Sequence, residues 1–191
     1  MTGVILEREV LSCATAVLAL GPWSAEASDW IGVPIEVRPL KGQILRLQPP
    51  GPPVECSVGW GHNYATTKTD GLLWAGTTEE EAGFDEESTL AARDEIGAAL
   101  VRMLPAMADA QVAQQTACLR PVASDGLLVL GSVPALDHVY VATGGARKGI
   151  LYGPAMGHAV ADLVLGRRPR IALDAFAPGR FAGARHPSER A

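Results

Sequence analysis

Apolar and polar positions alternate in some stretches of this chain and cluster in others, and the two patterns predict different elements. Glu36–Leu47 contains an alternating strand from Gln43 to Leu47. Trp60–Thr67 and Gly71–Gly76 read as the arms of a hairpin turning at Thr69-Asp70-Gly71. Gly3–Leu6 and Glu9–Leu11 form a smaller hairpin around Glu7-Arg8. Ala14–Leu20 is unbroken apolar sequence, as expected of a strand buried on both faces in a parallel sheet. Gly21-Pro22-Trp23-Ser24 then turns the chain, with Ser24 placed to cap a helix through about Ile31. Val112–Leu119 and Leu127–Leu130 are further strands, joined by a loop at Arg120–Gly126. Val139–Val141 follows a turn at Pro134–Asp137.

Two stretches carry the spacing of helices instead. Ser88–Leu104 turns Leu90, Ile96, Ala99, Leu100, Met103 and Leu104 inward, and Pro105 ends it. Ile150–Leu165 groups Ile150, Leu151, Ala155, His158, Ala159, Asp162 and Leu163, and Gly166-Arg167-Arg168-Pro169 stops it. Pro49–Pro53 is a rigid loop and Thr77–Glu87 an acidic, solvated one. The strand–turn–helix order near the start returns at 139–165. The expected class is α+β, an antiparallel sheet with a covering helix, flanked by fragments of an α/β domain. The boundaries fall at residues 1–32, 33–130, 131–168 and a partly disordered tail at 169–191.

Composition narrows the function classes. The chain has 191 residues, 48% hydrophobic and 19% charged, an ordinary globular balance. A net charge of −5 and the lack of a basic run with interleaved aromatics argue against nucleic acid. Val10–Leu20 is too short to span a bilayer, and no basic stretch precedes it. Cys13, Cys56 and Cys118 fit neither a disulfide framework nor a zinc site, which points to a reducing cytoplasm.

The chemistry concentrates at Val139–Gly157. A short apolar strand runs into Gly144, Gly145 and Gly149, then into a helix. Glycines let a ligand approach bare backbone, and a helix start offers free N–H groups and a positive dipole end. Arg147 and Lys148 add positive charge there. A ligand site and a plain crossover are both open on this pattern alone. Arg120, before Pro121, can grip a carboxylate with two parallel hydrogen bonds, or form a structural ion pair. His62 and Tyr64, two apart on one strand, share a face and present an imidazole and a hydroxyl, or are partly buried sheet residues. No metal-ligand spacing, nucleophile–base pair or phosphate-cradling loop stands out. Hard chemistry here needs a cofactor.

Four segments in order resemble the FAD-dependent D-amino-acid oxidase superfamily, nearest its glycine oxidases and D-amino-acid dehydrogenases. They are Val17–Ser24, Arg38-Pro-Leu-Lys-Gly-Gln43, Leu119–Gly126 with Leu130-Gly131, and Gly144–Gly157. The resemblance covers roughly residues 14–168. It implies that Arg120 clamps a substrate carboxylate, that Tyr64 helps hold it, and that His62 lines the same pocket. Arg147 would stand beside the flavin. Gly145, Ala146, Arg147, Lys148, Gly149, Ile150 and Leu151 would hold the isoalloxazine and its negative N1–C2=O edge. The implied reaction is hydride transfer from an amino-acid α-carbon to flavin N5, giving an imino acid that hydrolyses. Pocket walls such as Thr78 and Trp60 would set substrate choice. Cys118 falls where sarcosine oxidases carry a flavin-linked cysteine; a plain thiol is the alternative.

Two departures qualify these expectations. Gly145 stands where the family often has His. The family's G-x-G-x-x-G unit for the ADP half of FAD is absent from these residues. The expectation is therefore a partial flavoenzyme, inactive alone. Its alternatives are one half of a split enzyme completed by a chain supplying the nucleotide-binding unit, and a non-enzymatic module binding a small carboxylate or a protein. Apolar edges at Ala14–Leu20 and Val139–Val141 would favour a homodimer.

Overall fold

The computed structural model describes residues 2–134 and 136–182. Contacts divide the chain into two units, Met1–Pro39 with Arg120–Ala191, and Leu40–Leu119.

In the first unit, β1 (Gly3–Ile5) and β2 (Val10–Ser12) form the small antiparallel hairpin. A three-stranded sheet has the order β3 (Ala16–Leu18), β10 (Val139–Thr143), β9 (Val129–Ser132). β10 runs parallel to β3 and antiparallel to β9. The strand buried on both faces is β10, not Ala14–Leu20. Val139 and Val141 face one cluster with Ile31, Val33, Ile35, Val37, Val129 and Phe181. Tyr140 faces the other, with Leu130 and residues of α3 (Gly149–Val164). β3 is an edge strand and Val17 is exposed. Since β10 is paired on both sides, Val139–Val141 offers no open edge for a second copy.

Ser24 does not cap a helix. Gly21–Ala27 is a 3₁₀ turn and α1 only spans Ser28–Ile31. Ser24 is buried; its hydroxyl and that of Thr143 lie 2.8 Å apart and share the Gly21 carbonyl as acceptor. Burial of a hydroxyl requires such a partner, and this one ties the turn to β10.

Helix α3 starts on schedule, but the inward face is Met156, Ala159, Val160 and Asp162. Ile150 is 98% exposed and Leu151 73%, so the first turn of the helix leaves two of the periodic apolar residues in solvent. The helix ends in a Schellman arrangement. Gly166 is left-handed at φ 67°, its N–H bonds Leu163 O, and Arg167 N–H bonds Asp162 O. Residues 174–181 form two short 3₁₀ turns that put Pro178 and Phe181 in the interior. Arg180 anchors them with two bonds to the Asp125 carboxylate, 2.7 and 3.1 Å. The rest of the expected tail lies outside the described residues, as does Ala135 in the turn at Pro134–Asp137.

In the second unit the sheet order is β5 (Val58–Trp60), β6 (Asn63–Thr67), β7 (Leu73–Gly76), β4 (Val37–Gln48), β8 (Gln111–Ala123). Ala65, Ala75 and Leu45 align across three strands and are buried with Leu47, Leu73, Ile96 and Leu100 under α2 (Leu90–Met103). Thr89 caps α2 by accepting from Ala92 N–H. Leu90, expected inward, is the first residue of α2 and is exposed. Pro105 begins a 3₁₀ turn, as a helix-breaking residue should.

Candidate functional site

The β10–α3 junction is shaped for glycine. Gly144 has φ +80°, and a Cβ there would sit 3.1 Å from both Leu127 O and Val129 N. A Cβ on Gly145 would fall 2.6 Å from Gly149 Cα. So the position where the resembling family often has His is closed to side chains in this backbone. Ala146 takes a left-handed φ of 44°, a conformation uncommon for non-glycine residues. Ala146–Lys148 makes one 3₁₀ turn, and α3 begins without a side-chain cap. Its first N–H groups point out of the helix with Arg147 and Lys148, both exposed, beside them.

Beside this junction is an apolar concavity of about 560 Å³. Gly149, Gly153, Gly157 and Ala161, each four residues apart, line it with little bulk, and Met156, Val160 and Val164 of the same helix add side chains to that wall. Gly145 at the turn and Val17, Ala19, Gly21, Ala142, Thr143 and Pro121 complete its outline. No charged side chain lines it. Of the seven residues expected at the flavin, Gly145 and Gly149 line this space; Ile150 and Leu151 point to solvent. The four-residue repeat of small residues was visible in the sequence, and Gly153, Gly157 and Ala161 could have been named from it.

Arg120 does not end a strand. β8 continues three residues past it to Ala123, so the expected loop at Arg120–Gly126 shortens to the turn around Ser124–Gly126. Pro121 inside β8 is tolerated because β8 is the outer strand of its sheet. Arg120 is half-buried, one residue from the Pro121 that borders the concavity. Tyr64 lies on β6 opposite Gly76, on the face away from α2, which it shares with Thr66, Trp74 and Arg46. Arg46 stacks over the Trp74 ring at 4.3 Å. His62 falls in the turn between β5 and β6, so strand alternation does not set its direction. Trp60, exposed on β5, has the Arg102 guanidinium 5.6 Å from its ring.

The acidic loop is not merely solvated. Lys41, 1% exposed, donates to Asp85 at 2.6 Å, and its backbone bridges Glu80. That bond, with help from the Glu87 N–H, holds the Asp85 carboxyl below its usual range. Gln43 is wholly buried. Its Oε1 accepts from Thr89 N–H and Gln115 Nε2; its Nε2 donates to Glu80 and Thr89 Oγ1. Sequence reading missed this node because its members lie 37, 46 and 72 positions from Gln43. Among the described residues no group of three or more His, Cys, Asp or Glu could hold a metal, and no helix is long and apolar enough to cross a membrane.

The β10–α3 junction is thus a glycine-rich strand–turn–helix beside a mixed three-stranded sheet. Comparison with known proteins gives the family. The model of the FAD dependent oxidoreductase family matches residues 2–163, and the chain belongs to that family. It is 33% identical over 178 residues to the glycine oxidase of Pseudomonas aeruginosa, covering 93% of this chain and 49% of that protein. The D-amino acid dehydrogenase of Bradyrhizobium diazoefficiens is 26% identical, over 95% of this chain and 44% of that protein. The crystal structure of glycine oxidase from Geobacillus kaustophilus superposes with a TM-score of 0.87 at 27% identity, over 91% of this chain and 47% of that one. The chain thus spans about half the length of the curated relatives it matches.

Proposed function

We propose that this chain supplies the substrate-binding part, and the closing strand, turn and helix of the flavin side, of an oxidoreductase acting on the CH–NH bond of a small amino acid. The α3 N-terminus carries the reading. It offers uncapped N–H groups, two exposed cations and a glycine-walled concavity free of carboxylates. That donor set suits the negative edge of a flavin, so FAD fits the residues present. Gly145 and Gly149 would leave room for the ring, and Arg147 and Lys148 would balance its charge. Bound FAD supplies the hydride acceptor.

The remaining work belongs to the chain. Arg120 holds the substrate carboxylate through two parallel charge-assisted bonds. In the second unit, Tyr64 and His62 are the residues proposed for further substrate contact. Fixing the carboxylate fixes the α-carbon, and orientation of this kind replaces any need for a strong general base. The first unit leaves Ile5, Ile150 and Leu151 exposed. That favours completion by a nucleotide-binding unit, whether on the same polypeptide or a separate one. Alone, these residues hold FAD more weakly than micromolar and turn over no amino acid.

Two measurements test the reading. Titrating purified protein with FAD should give no micromolar binding and no perturbed flavin spectrum; a tight yellow complex overturns the incompleteness. Titrating protein labelled at arginine and tyrosine with glycine should shift the Arg120 Nε–H and Tyr64 ring signals together. No response at saturating glycine overturns the amino-acid reading. A glycine response that no nucleotide-binding unit converts into turnover leaves a non-enzymatic carboxylate module.

A further inference from the structure

Gln43 is buried and hydrogen-bonded through both ends of its amide, and nothing in the proposed chemistry uses it. Its amide orientation follows from its partners. Backbone Thr89 N–H can only donate, so Oε1 faces it; the Glu80 carboxylate accepts, so Nε2 faces that side, at 2.9 and 3.3 Å. Its backbone is also used: Gln43 N–H donates to Thr78 Oγ1 at 2.9 Å, and Thr77 Oγ1 donates to Gln43 O at 3.1 Å. One residue thereby joins β4, the segment leaving β7, the cap of α2, and β8. The β8 link is through Gln115, whose Nε2 reaches Gln43 Oε1 at 3.0 Å and Thr89 O at 2.8 Å. β8 then runs five residues on to Arg120. β7 ends at Gly76, the residue opposite Tyr64, and the segment leaving it starts at Thr77.

A buried, fully bonded amide fixes geometry more than it adds stability, because an apolar core would hold the elements as well. We propose that Gln43 is a positioning residue. Through Gln115 it sets the register and rigidity of the strand that carries Arg120, and through Thr77 and Thr78 it fixes the segment rooted opposite Tyr64. This rests on the amino-acid reading above for its purpose, but not for its geometry.

Gln43→Glu tests it. A carboxylate at 43 keeps the acceptor bonds from Thr89 and Gln115 but sets a second negative oxygen against Glu80. Lys41, paired with Asp85, is the nearby cation that faces the same loop. On protonation the new carboxyl donates as the amide did. At pH 7 the variant should bind glycine at least fivefold more weakly than wild type and broaden the Arg120 Nε–H signal. At pH 5 both should return to within twofold of wild type. Equal binding and an unchanged Arg120 signal at pH 7, or loss at both pH values in folded protein, overturns the proposal. Gln115→Ala removes the β8 link from a half-buried site and guards against misfolding of the first variant. It should speed amide exchange at 116–120 at least tenfold while leaving α2 unchanged; unchanged exchange in β8 overturns the proposal. If wild type ignores glycine, the amino-acid reading falls, and the Arg120 signal and the exchange rates still decide the role of Gln43.

Discussion

The two units differ in how they treat their own surfaces. In the second, one sheet face is closed by α2 and the polar groups beneath the acidic loop find partners in one another. In the first, a doubly covered β10 coexists with a hairpin whose Ile5 is 82% exposed and with the bare first turn of α3. A single two-stranded hairpin has marginal stability in water, so the first unit leaves large apolar side chains in solvent where the second has enclosed its own. The contrast teaches that complete secondary structure is no guarantee of a complete surface.

Several substitutions sharpen or break the contrast. The largest effect belongs to Leu100→Ala, in the closed core of the second unit, with a loss of about 2–5 kcal/mol in urea unfolding. A loss under about 1 kcal/mol would mean that α2 is not what stabilises that sheet. Gly144→Ala follows, at about 1–3 kcal/mol, because it combines a positive φ with contact against backbone atoms. An unchanged melting point would show that the β10–α3 junction relaxes easily. Acid comes next and touches both units. Asp85 and Asp125 are both held below the usual aspartate range, first by hydrogen bonds from Lys41 and Arg180 respectively. A depressed carboxyl stabilises the fold above its unfolded pKa, so that stability is present at neutral pH and is lost as pH falls below about 3.8. Asp85→Asn and Asp125→Asn should each flatten the acid limb of a stability–pH curve; identical limbs would rule the pairs out as its source. The smallest effect is expected for Ile150→Glu, within about 0.5 kcal/mol, with improved solubility. A large loss there would show that the bare face is covered by self-association, which light scattering detects directly.

Much of the fold was legible because strand and helix periods survive in local sequence. The 63–76 hairpin, α2 and the β10-to-α3 passage all follow from such patterns. The failures share a cause. Leu90 fits the inward spacing of its helix yet is exposed, and Ile150 and Leu151 share the apolar spacing of theirs yet face solvent; a helix can carry apolar residues on two faces and the letters do not say which is closed. Ser24 looked like a cap because serine commonly is one; the partner that claimed its hydroxyl, Thr143, is 119 positions away. Arg120 was placed at a strand end because Pro121 usually stops a strand, and only sheet order reveals that β8 lies at an edge. Of the candidate site, the glycine turn was legible from composition and the Gln43 node was not, since its bonds cross segments with no common period.

The parallel pairing of β3 with β10 has a consequence for how the chain is made. Val139 meets Ala16 only after the whole of Leu40–Leu119 has been synthesised. Contacts so distant along the chain form slowly, and nascent chains fold in the order in which contiguous pieces leave the ribosome. The inserted sheet can therefore close while the first strand still waits, and the interval of greatest aggregation hazard is that wait.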